Sequence, residues 1–368
     1  MYVPIMKARQ EELKVSKKLS YCFSDKIVPL FEILKEEYED KYELDENGKI
    51  KMILKPGQKR RQRVKKAHTE NDIVTLENLN NRIKKSKAFI DYFRFNAKKY
   101  GGSKVDINGV DLAYRLSRNE DEYIEKLLGV SSYKNLIPVL SLKDKFTFSK
   151  NRLIEIINLL KSKNESIALR LEDSIFESVK DVLEENLREC DFLLYDINEQ
   201  NIESKVMELF ELNECEIKAK KIIIHSPRKL KNNNKQYENN SVTALIDNSI
   251  ADSYEDYDFD GFGDYGGLKD QLPTSDTSNG KGAALGLVYS RNENSFYSFC
   301  NSDTSLGMKG YVQVIEDILE VENELNPENN CPFYEEINKM YENDKTGNWA
   351  TWNNLTLTRY IHQMYIYQ

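Results

Sequence analysis

The chain has 368 residues, 40% of them hydrophobic and 31% charged, with a formal net charge of -8. That length holds one large domain or two ordinary ones, and the apolar fraction is enough for a core. The acidic balance argues against a protein whose main surface grips nucleic acid, and no apolar run approaches the length of a membrane span.

In chain order, Tyr2 to Lys7 reads as a first strand and Glu11 to Leu19 as a helix. Lys26 to Ile33 is the second strand, with Glu32 near its end. Lys35 to Glu70 breaks the rhythm: an acidic run is followed by a basic one, and Asn47-Gly48 between Leu44 and Ile50 predicts a small hairpin. This segment reads as an insertion after strand two. Asp72 to Lys85 carries apolar residues at helical spacing. Ala88 to Phe95 is the third strand and Leu136 to Leu142 the fourth, with one or two helices over Gly109 to Leu128 between them.

Asn151 to Leu160 is a helix, and the fifth strand starts at Ile167. There Ile167, Leu169 and Leu171 alternate with Ala168, Arg170 and Glu172. A strand flanked by helices suggests a parallel sheet covered on both faces, so the polar face needs a reason. A closed barrel supplies one, because polar functional groups gather at the carboxyl ends of its strands. Helix, sixth strand (Asp191 to Ile197), helix and seventh strand (Lys221 to His225) follow, and Phe259 to Tyr265 is the eighth strand. Val242 to Ala251 reads as helix or strand.

Eight strands alternating with helices predict an α/β fold, a (β/α)8 TIM-barrel-like domain over residues 1–270. The alternative, an open doubly wound sheet, lacks a G-x-G-x-x-G after the first strand. Residues 271–368 predict an extension of a β-hairpin (Ala283 to Ser290 with Ser295 to Cys300) and helices at Lys309 to Leu325 and Pro332 to Tyr341. Trp349 to Tyr367 closes the chain as strand or helix. The cysteines Cys22, Cys190, Cys215, Cys300 and Cys331 are odd in number and widely spaced, which points to a reducing cytoplasm. The first residues lack the apolar stretch of a signal peptide.

The barrel reading places Lys7, Glu32, Arg94, Ser141, Arg170, Glu172, Asp196, His225 and Asp264 at or near strand ends. Glu32, Glu172, Asp196, His225 and Asp264 are the candidate catalytic residues. Glu32 and Asp264 are the candidate metal ligands, suited to Mg²⁺ through oxygen. Carboxylates there also suit acid and base roles if their environments separate their pKa values. Lys7, Arg94 and Arg170 are candidates for holding an anion. Beside this stands the plain structural reading, in which Arg–Glu and Lys–Asp pairs plug the barrel. Lys59, Arg60, Arg61, Arg63, Lys65 and Lys66 suit phosphate contact, although such runs are usually solvated faces or pair with a nearby acidic run. Ser278 to Gly282 lacks P-loop spacing, and there is no nucleophile signature.

Several blocks resemble the protein beta family of phages and bacterial mobile regions. They are Tyr2 to Gln10, Pro29-Leu30-Phe31-Glu32, Phe262-Gly263-Asp264-Tyr265 with the hairpin after it, and Trp352 to His362. Where that family pattern has a histidine pair near the end, this chain has Tyr360 and His362. The resemblance implies a role in phage–host conflict and brings no established reaction. Three functions remain open on the sequence. One is a conflict protein recognising a phage or host ligand, or a co-encoded defence protein, at the barrel rim. Another is a metal-assisted hydrolase or phosphodiesterase. The third is a protein-interaction module without chemistry.

Overall fold

A computed structural model describes residues 1–96, 98–100, 105–274, 282–327 and 330–367. The 278–282 stretch falls largely outside them. The first half of the chain lays down β1 (Tyr2–Lys7), α1 (Gln10–Lys18) and β2 (Leu30–Ile33). The insertion follows with β3 (Met52–Ile53) and β4 (Gln62–Arg63), then α2 (Thr75–Arg82) and β5 (Ala88–Tyr92). Next come α3 (Asp111–Leu116), α4 (Glu120–Gly129), β6 (Leu136–Leu142), α5 (Lys150–Lys163) and β7 (Ala168–Glu172). The barrel strands end with β8 (Phe192–Asp196), β9 (Lys220–His225) and, after β10 (Ser241–Val242), β11 (Gly261–Asp264). Helices α6 (Phe176–Asn186), α7 (Val206–Glu214) and α8 (Ile250–Ser253) lie between them.

The eight strands close in the order β1-β11-β9-β8-β7-β6-β5-β2, every pair parallel. This is a (β/α)8 barrel. Register is fixed by which face each side chain needs, since a one-residue slip would turn every inward group outward. The helices follow the same logic. On α5, Leu153, Ile156, Ile157 and Leu160 are buried at helical spacing, and the Ser149 side chain caps the first turn by accepting from the Arg152 N–H. Inside the barrel there is no spare volume at Gly263. A Cβ there would lie 2.7 Å from Ile224 Cδ1 and 2.8 Å from the Val3 carbonyl oxygen, so the position takes only glycine.

Beyond the barrel, β12 (Ala284–Ser290) and β13 (Ser295–Asn301) form an antiparallel hairpin, and β10 pairs with β13. Three further helices follow: α9 (Gly310–Glu320), α10 (Glu322–Leu325) and α11 (Pro332–Glu342). The chain closes with α12 (Trp349–Ile366). The segment expected as strand or helix over 349–367 is therefore a helix. The 242–251 segment divides into the end of β10 and the start of α8, with irregular backbone between. Helix α12 ties the two halves together: Leu357, Tyr360 and Ile361 join the barrel core, while Trp352 and Leu355 join a second core with Val288, Phe299, Val314 and Ile337. No helix among the described residues is long and apolar enough to cross a membrane.

Candidate functional site

The fifth barrel strand, β7, puts Arg170 inside the barrel, and the guanidinium becomes the hub of the mouth. Its Nη1 lies 2.7 Å from Glu32 Oε1 and 3.2 Å from Asp91 Oδ2, and its Nε and Nη2 lie 2.9 and 2.7 Å from Asp196 Oδ2. From β1, Lys7 Nζ donates to Glu32 Oε2 and Asp270 Oδ1, both at 2.6 Å. The Tyr265 hydroxyl donates to Glu32 Oε1 at 2.8 Å, and Ser141 Oγ donates to Asp91 Oδ1 at 2.8 Å. Glu32 thus meets two cations and a hydroxyl, with no exposed surface of its own.

Two elements from outside the strands seal the top. Tyr100 donates to Asp270 Oδ2 at 2.9 Å, and Lys99 reaches Asn198 Oδ1 at 2.6 Å and Glu172 Oε1 at 3.4 Å. The other Glu172 oxygen accepts from the Asp144 backbone N–H at 2.9 Å. Lys143 stands 4.0 Å from Asp91 Oδ2, with its ammonium 4.0 Å from the Phe93 ring centre. Among the described residues the mouth thus combines Lys7, Lys99, Lys143 and Arg170 with Glu32, Asp91, Glu172, Asp196 and Asp270.

Electrostatics follow from this packing. Burial alone would raise the Glu32 carboxyl, but Lys7 and Arg170 outweigh it and hold the group far below the usual carboxylate range. Burial likewise works against Asp270, and Lys7 again overrides it downward. Burial draws the Lys7 ammonium down, yet Asp270 and Glu32 leave it above its ordinary value. These groups are locked in their charged forms, which is the opposite of what a general acid or base near neutral pH requires.

Several expected site residues lie elsewhere. Asp264 is the correction with the largest consequence. It ends β11 and Tyr265 follows it, and alternation puts the two on opposite faces of the wall. Tyr265 points inward; Asp264 points out, accepting from the Tyr2 and Tyr360 hydroxyls at 3.1 and 2.7 Å and from the Gly266 N–H at 2.8 Å. Glu32 and Asp264 therefore cannot share a metal ion. Among the described residues no group of three or more His, Cys, Asp or Glu side chains is arranged to hold one. Burial lifts the Asp264 carboxyl to about 6, with the two tyrosines and the Gly266 N–H pulling the other way.

His225, the register partner of Asp264, also faces away from the mouth and is buried, with its pKa drawn down to about 4 by burial. Arg94 is buried among neutral groups. Its guanidinium lies 3.9 Å from the Tyr123 ring centre and donates to the Ser141 and Phe146 carbonyls at 2.8 and 3.4 Å. In the insertion, Lys59, Arg60, Arg61, Arg63, Lys65 and Lys66 are all exposed, and Lys65 pairs with Asp40 of the acidic run at 2.7 Å. The basic and acidic runs thus partly meet each other.

The mouth brings together Lys7, Glu32, Ser141, Arg170, Glu172 and Asp196 of the expected set. Asp91, Lys99, Tyr100, Lys143, Tyr265 and Asp270 belong to it too and were not anticipated. Asp91 carried a signal: it is the one charge inside the apolar run 88–93. Asp270 and Lys99 carried none, because they come from irregular backbone.

Fold and mouth together define a class: a (β/α)8 barrel whose strand ends are bound shut by a charge-paired network, with a hairpin-and-helix extension packed against it. The chain belongs to the Beta protein family, whose family model matches residues 2–365. Among curated proteins nothing matches.

Proposed function

We propose that this Beta protein works in phage–host conflict, as an antiphage or phage-encoded factor, by recognising a phage or host protein through its barrel rim and insertion. The barrel mouth is then scaffold, not a reaction centre. The setting comes from the family resemblance. The binding role is supported chiefly by one observation: the mouth carboxylates Glu32, Asp91, Asp196 and Asp270 each meet a cation inside a buried network. A metal-assisted hydrolase needs carboxylate oxygens turned toward a metal and a water, and here they are turned toward lysine and arginine.

A surface suited to a protein partner lies on the insertion. Leu44, Ile50, Met52, Ile53 and Leu54 keep 38–59% of their area exposed, beside the basic run. Apolar side chains grouped in a protruding segment and edged by charge favour association with another protein surface.

Phage plating on a host that makes the full chain tests the reading. Met52→Asp with Leu54→Asp is expected to abolish the plating phenotype with the melting temperature unchanged. Glu172→Gln and Asp196→Asn are expected to keep it wherever the protein remains folded. Loss of the phenotype in Glu172→Gln, at unchanged melting temperature, would return the reaction to the mouth and end the proposal.

A further inference from the structure

A second region of the molecule has the opposite charge logic. Between the ends of β9 and β11 and the extension lies a cavity of about 280 Å³, walled in part by Arg9, Arg228, Lys269, Tyr311, Trp349 and Trp352. Three of its lining residues are cations and none is a carboxylate, in a chain of net charge -8. Arg9 is engaged by Glu12 at 2.6 Å. The other two are not: among the described residues no carboxylate oxygen lies within 4 Å of Arg228 or Lys269.

Arg228 is 7% exposed, and its buried Nε has no hydrogen-bond partner among the described residues. Its Nη2 donates to Asn234 Oδ1 at 3.1 Å, and its Cζ lies 5.2 Å from the Tyr237 ring centre. Those contacts fix its position and supply no counter-charge. Lys269 gives its ammonium to the Leu230 and Asn232 carbonyls, which are neutral. A backbone bridge sets Arg228 directly beside Lys269. Burial lowers both pKa values, that of Lys269 to about 8 with Arg228 contributing. Arg228 is buried and Lys269 beside it is half-buried, with Glu199 acting on Lys269 only at a distance, so the pair lacks a direct counter-ion and a ligand would supply the charge.

We propose that this cavity binds a small phosphate-bearing ligand, a phosphate monoester or the free dianion, held by Arg228 and Lys269. A dianion matches two cations. Arginine offers its planar donor fork and lysine a point charge, the usual pairing around phosphate. The location fits as well, because β9 and β11 are the seventh and eighth strands of the barrel, whose following loops frequently form phosphate sites on this fold. The volume suits a phosphate with a compact organic group and excludes a large cofactor. The site lies outside the insertion surface proposed above and stands whether or not that reading survives.

Calorimetric titration of the full chain with inorganic phosphate and with ribose 5-phosphate, at low chloride, tests it. Both are expected to bind, and ribose alone is not. Tighter binding of the ester identifies the monoester as the occupant; equal binding identifies the free dianion. Arg228→Met and Lys269→Met are each expected to weaken binding at least tenfold without lowering the melting temperature, and Arg228→Lys to recover part of it. Affinity should fall as pH rises through about 8, where Lys269 loses its proton. Absence of binding at millimolar phosphate overturns the proposal, as does unchanged affinity in Lys269→Met. A lowered melting temperature in Arg228→Met with phosphate binding retained would mark Arg228 as a structural residue and overturn it too.

Discussion

The barrel mouth and the cavity over the ends of β9 and β11 both bury cations at the same end of one barrel, yet they treat them differently. In the mouth, Arg170 meets Glu32, Asp91 and Asp196, and Lys7 meets Glu32 and Asp270. In the cavity, among the described residues, Arg228 and Lys269 meet amide, carbonyl and tyrosine groups and no carboxylate within 4 Å. Charge that is paired within the chain fixes shape and offers little to a ligand. Charge left unpaired adds nothing to stability and is free to select a ligand. The two arginines are both buried, while Lys269 is half-buried where Lys7 is fully buried, so for the arginines it is the neighbours that decide which charge is structural.

Substituting the two arginines alike gives the widest separation. Arg170→Met leaves Glu32, Asp91 and Asp196 buried against one another and should cost about 3–5 kcal/mol, read as the shift in urea midpoint at constant m-value. Arg228→Met should leave the midpoint unchanged or raise it. Equal losses at both positions would erase the distinction. A smaller effect is expected at Tyr265, whose hydroxyl donates to Glu32 and accepts from Arg170 Nη2 at 3.2 Å. Tyr265→Phe removes one buried partner from each and should cost roughly 1–3 kcal/mol on the same measurement.

Much of the barrel was legible because its signals are periodic. The 3.6-residue spacing on α5 and the alternation of Leu169 and Leu171 with Arg170 in β7 state which face is buried. Alternation also held the answer at β11, where Gly263 and Tyr265 share the inward face and Asp264 does not. Reading Asp264 as a rim residue counted nearness to a strand end and neglected parity. Asp270, Lys99, Arg228 and Lys269 were not legible for a different reason. They sit in irregular backbone, where position comes from the whole fold and no spacing in the sequence encodes it.

Titration sharpens the same comparison at Asp264, a buried carboxyl with no cation within 4 Å among the described residues. Its pKa of about 6 lies above the unfolded value of 3.8, so between those limits the native state holds the proton more firmly than the unfolded chain does. Stability from this group is therefore full at low pH and declines as pH rises from about 4 to 6. Glu32 and Asp270 have the opposite sign. Their pKa values are depressed in the native state, so their contribution is present above the unfolded range near 4 and lost as pH falls below it. Asp264→Asn keeps an acceptor for Tyr2 and Tyr360 and removes the titration. His225, held at about 4 against an unfolded 6.5, makes stability rise with pH over the same window, so the urea midpoint of Asp264→Asn should rise between pH 4.5 and 6.5, where the parent protein's stays nearly level, while both lose stability below pH 4. A profile unchanged in Asp264→Asn would mean that Asp264 does not titrate in this range, and that the outer face of β11 holds its charge as comfortably as the mouth does.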